Sequence, residues 1–247
     1  ADLVLADSVD RDRLSFCATP GGTGAIHHVL ELVKLTESNP KIWFSDPTWG
    51  NHLTIAKHLN MPIGKYSYFN NETRAVDFEE MVSDLSKVSN GDIVVLHGCC
   101  HNPTGANLNK DQWNIIADLL LEKEAIPFID IAYQGFGEGI EEDAFGTRLL
   151  ASKFPEMFIA ASCSKNFGIY RERCGIVITV SKNPDISSIT QGNLSYVNRQ
   201  NFSFPPDHGA RLVTMVLTDT ELRADWISEL EQVRIGMLDA RTHLAEA

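Results

Sequence analysis

The 247-residue chain contains no apolar run near the roughly 18 residues that would suggest a membrane span. Its first residues, Ala1-Asp2-Leu3, lack the basic start of a signal peptide. A soluble, cytoplasmic protein with no membrane partner is the expectation. Basic stretches are missing as well: 21 Lys and Arg stand against 33 Asp and Glu, for a formal charge of -12. Such a surface repels a phosphate backbone, so no nucleic-acid partner is expected. Cysteine is sparse and odd in number, at Cys17, Cys99, Cys100, Cys163 and Cys174, without the spacing of a secreted disulfide framework. We read all five as reduced. His97-Gly98-Cys99-Cys100-His101 is rich in metal-ligand types, yet it holds no Cys-x-x-Cys and no spaced His pair. In an extended segment Cys99 and Cys100 would point to opposite faces, and no metal is expected there.

What is present is an alternation of apolar runs and amphipathic stretches. Strands are expected at 41–45, 92–97, 126–131, 157–161 and 176–180, the last of them antiparallel at an edge. Residues 14–18 form a short approach to a helix whose apolar positions are Ile26, Val29, Leu30 and Val33. A second helix is marked by Trp113, Ile116, Ala117, Leu120 and Leu121, and 207–217 reads as another. The stretch 193–206 looks loop-rich. A capping box at Thr218-x-x-Glu221 opens a long helix with apolar positions Leu222, Trp226, Leu230, Val233, Met237, Ala240 and Leu244. Strands alternating with helices imply crossover units and a largely parallel sheet covered on both faces, an α/β fold.

Polar residues collect at the carboxyl ends of these strands, the edge where open α/β sheets bind ligands: Asn102, Asp130, Tyr133, Ser162 and Lys165. Lys165 is placed for chemistry, in Ser162-Cys163-Ser164-Lys165 at a strand end. An amine is nucleophilic only when neutral, which desolvation and the nearby cations Arg171 and Arg173 would favour. Pro20-Gly21-Gly22-Thr23-Gly24-Ala25 before a helix is either a plain turn or an anion cup in which backbone N–H groups converge. The dinucleotide fingerprint fails, because His27 stands where glycine or alanine is wanted. Trp49 is either a core residue or a flat lid for a planar ligand. A phosphate cup, a carboxylate, a phenol, an amide, an indole, an arginine and a lysine together make the set that pyridoxal phosphate needs.

Five ordered motifs carry a resemblance: Gly21-Gly22-Thr23-Gly24-Ala25, Pro47-Thr48-Trp49-Gly50-Asn51-His52, His97 through Gly105, Asp130-Ile131-Ala132-Tyr133-Gln134-Gly135-Phe136, and Ser164-Lys165-Asn166-Phe167-Gly168. From about Phe16 to Ala247 the chain resembles the class I aminotransferases of the aspartate and aromatic amino-acid type. The resemblance implies a mostly parallel, seven-stranded sheet flanked by helices, the large domain of a pyridoxal-phosphate-dependent transferase of fold type I. It implies residues 1–218 as the cofactor-binding large domain and 219–247 as the start of a long interdomain helix.

By resemblance Lys165 carries the cofactor and moves the substrate proton, and Asp130 partners the pyridinium nitrogen with His52 and His97 behind it. Tyr133 and Asn102 bond the cofactor's phenolic oxygen, and Trp49 stacks on its ring. Gly22, Thr23, Ser162 and Arg173 hold its phosphate. Trp49, Asn102 and Arg199 meet the substrate, Arg199 by reaching into the neighbouring subunit of a homodimer to bind a side-chain carboxylate. Substrates would be an amino acid (aspartate, glutamate or aromatic) and a 2-oxo acid. Phe204 stands where the family commonly has asparagine, which loosens the substrate assignment. Family members are longer at both ends. Their N-terminal arm, small domain and α-carboxylate arginine are expected outside these residues, with an inactive cofactor-binding or subunit-interaction domain as the alternative.

Overall fold

The computed structural model describes residues 1–36 and 38–246; residues 37 and 247 lie outside the described residues. In chain order the elements are α1 (Asp2–Leu5), β1 (Leu14–Pro20), α2 (Gly21–Lys34), β2 (Ile42–Asp46), α3 (Gly50–His58), β3 (Ile63–Ser67), β4 (Phe69–Asn70), β5 (Ala75–Val76) and α4 (Phe78–Leu85). They continue as β6 (Ile93–His97), α5 (Lys110–Glu122), β7 (Ile126–Ile131), α6 (Phe145–Lys153), β8 (Met157–Ser162), β9 (Cys174–Val180), α7 (Pro184–Asn201), α8 (Asp207–Thr218) and α9 (Thr220–Glu246). One seven-stranded sheet runs β1-β9-β8-β7-β6-β2-β3, and β4 pairs with β5 in a small separate hairpin.

Strands β3, β2, β6, β7 and β8 are parallel neighbours, while β9 runs antiparallel to both β8 and β1. The central strands read as continuous apolar runs because helices bury both faces. Met81 of α4, Ile116 of α5 and Leu150 of α6 pack with Leu96, Ile129 and Ile131 on one face. Val29 of α2, Ile55 of α3 and Leu194 of α7 pack with Phe44, Val95 and Phe128 on the other. Side chains alternate along β7, so Asp130 shares the face of Phe128 and looks toward α3.

The mostly parallel α/β sheet is the expected one, but four local expectations change. The loop-rich reading of 193–206 gives way to α7, which continues to Asn201 and carries Arg199 on its last turn. Only Ser187, Leu194 and Val197 of that helix are buried, so its apolar period is thin. Strand β9 is antiparallel as expected but lies inside the sheet, and β1 is the edge. The cap of α9 is Asp219, whose Oδ1 accepts from the N–H groups of Glu221 and Leu222, while Thr218 belongs to α8. Cys99 and Cys100 do not diverge: β6 has ended at His97, Cys100 adopts φ 47, and both thiols lie within 4.8 Å of an Asp143 oxygen. Asp143 itself accepts from the N–H groups of Gly135, Gly137 and Glu138 and so holds the loop after β7.

Candidate active site

Parallel strands bring their carboxyl ends to one edge. His97 pairs in register with Asp130, and β8 ends beside them at Ser162. Strand β1 reaches the same edge from the other side, because Pro20 pairs with Cys174 at the start of β9. Helix α2 therefore begins at this edge. Gly175 permits the approach, since a Cβ there would lie 2.5 Å from the Gly21 carbonyl carbon. The result is a cleft of about 210 Å³ lined by Gly22, Thr23, Trp49, His97, Asn102, Asp130, Tyr133, Ser162, Lys165 and Arg173.

At the inner end of the cleft Asp130 is 8% exposed, a burial that would disfavour an unpaired charge. His52 Nε2–H, from α3, donates to its Oδ2 at 2.9 Å. Burial pushes the Asp130 carboxyl up, but the His52 hydrogen bond and the charges of His52, His97 and Lys165 outweigh it, leaving the group below its ordinary value. Behind this pair the hydrogen bonds run in one direction. The Asn102 N–H donates to His97 Nδ1 at 3.2 Å, which leaves His97 Nε2 to carry the ring hydrogen. Nε2 then faces Thr48 Oγ1 at 3.4 Å, and the Thr48 hydroxyl is free to donate to His52 Nδ1 at 2.8 Å. Burial lowers His97 to about 4, so it stays neutral near pH 7.

His101 completes the cluster. Its ring lies 4.2 Å from His97 and stacks on Tyr68 at 3.8 Å. Its nitrogens meet Ser45 Oγ at 2.9 Å and Thr104 Oγ1 at 2.8 Å, which ties the Asn102 loop to β2.

The outer end is built for an anion. Gly21 takes φ 72, and a Cβ on it would lie 2.4 Å from Arg173 Nη2. Glycine thus makes room for the guanidinium at the start of α2, where unpaired backbone N–H groups and the helix dipole already favour negative charge. Arg173 is held there by donating to the carbonyls of Tyr170 at 2.8 Å and Pro20 at 3.3 Å. Ser162 closes the cradle, since a Cβ on Gly22 would come within 3.1 Å of its Cβ.

Between the two ends, Lys165 Nζ lies 4.9 Å over the Tyr133 ring. Burial, and next the Asp130 charge, push the Tyr133 phenol up. Trp49 forms the adjoining wall, edge-on to His52 at 5.4 Å. Helix α9 supports the lysine loop: Trp226 Nε1–H donates to the Asn166 carbonyl at 2.7 Å and its ring stacks on Phe167 at 4.5 Å. Of the residues singled out in the sequence, Arg199 stands apart from this cluster, and Arg171 is exposed and does not line the cleft. Arg199 is exposed, bonds Ser203 Oγ at 2.5 Å and lies 5.5 Å over the Phe204 ring. Sequence reasoning missed Thr48 as the link between two histidines, and Ser164 and Tyr170 as cleft residues. Thr48 and Ser164 do lie inside motifs already quoted, next to Trp49 and Lys165.

The chain is similar in sequence and fold to known proteins. Residues 4–247 match the family profile described as aminotransferase class I and II. The aromatic-amino-acid aminotransferase of Paracoccus denitrificans is 53% identical over 244 residues, covering 99% of this chain and 62% of that protein. A solved aromatic amino acid aminotransferase with 3-indolebutyric acid superimposes with a TM-score of 0.97 at 53% identity, over 99% of this chain and 62% of that one. The aromatic-amino-acid aminotransferase from Burkholderia pseudomallei, covalently bound to pyridoxal phosphate, superimposes with a TM-score of 0.96 at 37% identity, over 99% and 62%. The chain thus spans about 62% of the length of these relatives. With its family profile, its sequence identity to these relatives and its fold all in agreement, the chain belongs to the class I and II aminotransferases.

Proposed function

We propose that the chain is the cofactor-binding part of an aminotransferase that moves an amino group between an amino acid, aspartate, glutamate or an aromatic one, and a 2-oxo acid by means of pyridoxal phosphate. Residues 1–218 form its large domain, and the helix from 219 onward leads toward a second domain. The observation that carries the reading is the polarity of the cleft, with a histidine-backed carboxylate at one end, a lysine amine in the middle and a glycine cradle with an arginine at the other.

The residues fit the group. A phosphate takes donors only, which Arg173, the hydroxyls of Thr23 and Ser162 and the start of α2 supply. A protonated ring nitrogen needs an ionised carboxylate, and Asp130 is held in that form. The bound cofactor supplies a conjugated electron sink for the negative charge that develops at the substrate Cα. Lys165 Nζ would hold the cofactor and carry the substrate Cα proton. Tyr133 and Asn102 would hold the cofactor's phenolic oxygen, and Trp49 would face its ring.

Arg199 has a guanidinium exposed outside the cleft of its own chain, which suits a carboxylate-binding role toward the site of a second copy in a homodimer. Exposed Val233, Ile235 and Met237 on α9 are apolar surface that such a copy would cover. A cytoplasmic setting agrees with five free thiols.

The test is a visible absorption band on adding pyridoxal phosphate, followed by borohydride reduction and peptide mapping. With trypsin the label is expected on peptide 154–171, because cleavage fails at a modified Lys165 and resumes at Arg171. A label on any other lysine refutes the assignment of the site.

A further inference from the structure

Two cysteines that the proposed chemistry leaves unused face each other beside Lys165. Cys163 and Cys174 continue the β8–β9 ladder one step past the Ser162–Gly175 pair, with the Cys163 N–H donating to the Cys174 carbonyl at 3.0 Å. Opposed residues of an antiparallel pair place their side chains on one face, with Cα atoms about 5.5 Å apart at a hydrogen-bonded position. That lies inside the range of about 4.4–6.8 Å that disulfides adopt. Both cysteines are free, with Cys174 buried and Cys163 partly accessible.

We propose that Cys163 and Cys174 are a redox modification site, which closes into an intramolecular disulfide by exchange with a low-molecular-weight disulfide such as oxidised glutathione. The Cys163 thiolate attacks the small disulfide, forms a mixed disulfide and expels one thiolate. Cys174 sulfur then attacks Cys163 sulfur and expels the second thiolate. The protein loses two electrons and two thiol protons, and the small disulfide takes both and leaves as two thiols. The bridge closes a ring that contains Lys165, Tyr170 and Arg173, all of which line the cleft, so it ties the base of the loop that presents them. The Cys99 and Cys100 thiols lie within 4.8 Å of each other, but they are sequence neighbours, and a bridge between them encloses no such loop.

The experiment equilibrates the chain with oxidised glutathione, alkylates the remaining thiols and digests with trypsin. Cleavage at Lys153, Lys165, Arg173 and Lys182 places the two cysteines on separate peptides, 154–165 and 174–182. We expect these peptides joined, two hydrogen masses lighter than their sum and separable by reductant, with Cys17, Cys99 and Cys100 alkylated. Cys174→Ser should stop at the glutathione adduct on Cys163. Full alkylation of Cys163 and Cys174 overturns the proposal, as does mapping of the lost thiols to Cys99 and Cys100. A linkage that forms no faster in the folded chain than in urea overturns it too, because the ladder is what places the sulfurs.

Discussion

Mild acid should destabilise the fold through two buried imidazoles. Burial lowers His97 to about 4 and His101 to about 2, with the neighbouring imidazoles adding to the effect. In the unfolded chain both return to an ordinary value of about 6.5. Between the folded and unfolded values the unfolded state binds more protons, so this stability is full above about pH 6.5 and is lost as pH falls toward the folded values. At pH 5 the loss is RT ln[(1 + 10^1.5)/(1 + 10^-1)] for His97, about 2 kcal/mol, and about the same for His101.

Together that is ~4 kcal/mol out of the roughly 5–15 kcal/mol that holds a typical domain. His28, buried with its Nδ1 unpartnered, shifts in the same direction and adds to the slope. Asp130 does not contribute in this window, because its folded value is depressed and its stabilisation is lost only below its unfolded value near 3.8. Urea titrations followed by tryptophan fluorescence at pH 7.5, 6.5, 5.5 and 5.0 would read the effect. His101→Gln, which keeps a polar side chain against Ser45 and Thr104, should remove about half of the pH dependence. An unfolding free energy that stays flat from pH 7 to 5, or a His101→Gln variant with the full slope, would refute the reasoning.

Two further outcomes are expected. Asp130→Asn should keep the fold, because the amide oxygen still accepts from His52, while pyridoxal phosphate binding weakens about 10- to 150-fold, the equivalent of an ionic hydrogen bond of roughly 1.5–3 kcal/mol. In a full-length parent, turnover should fall by orders of magnitude, and wild-type rates in that variant would contradict the role. In the same parent, Arg199→Ala should lower kcat/KM for aspartate by a similar factor, about 10- to 150-fold, and change that for an aromatic amino acid by only a few-fold. An unchanged aspartate rate would count against it.

The strands that present the site were legible because β6, β7 and β8 are buried on both faces and end in polar residues. Strand β3 was not. Its sequence, Ile63-Gly64-Lys65-Tyr66-Ser67, mixes charge and glycine at the sheet's margin, and Gly64 is there because a Cβ would lie 2.6 Å from Trp43. Helix α7 buries too few residues to show a period, so 193–206 read as loop. Most candidate site residues fell within quoted motifs, Arg173 and Arg199 excepted, but the hydrogen bonds that link them did not show there. Thr48 beside Pro47 has the composition of a turn, and its place between His52 and His97 exists only once α3 lies against the end of β6. The opposed Cys163 and Cys174 were likewise invisible as a pair, since ten residues of loop separate them before the β8–β9 register brings them level.

The acid sensitivity and the proposed chemistry meet in one histidine cluster. A carboxylate at 8% exposure would be neutralised by burial alone, and a neutral acid could not keep a pyridinium nitrogen protonated. Asp130 stays ionised because His52 donates to it, and His52 can present Nε2–H steadily only while its Nδ1 accepts from Thr48. Thr48 is oriented in turn by His97, whose neutral tautomer is set by the Asn102 N–H. Protonating His97 would put a hydrogen on Nδ1 and remove the acceptor for the Asn102 N–H, while Nε2–H would still face Thr48. The neutrality that costs stability below pH 6.5 is therefore the same neutrality that holds the Asn102 backbone against the end of β6, at the edge of the cleft. A cluster of exposed, readily protonated histidines would be more acid-stable and would lose that acceptor.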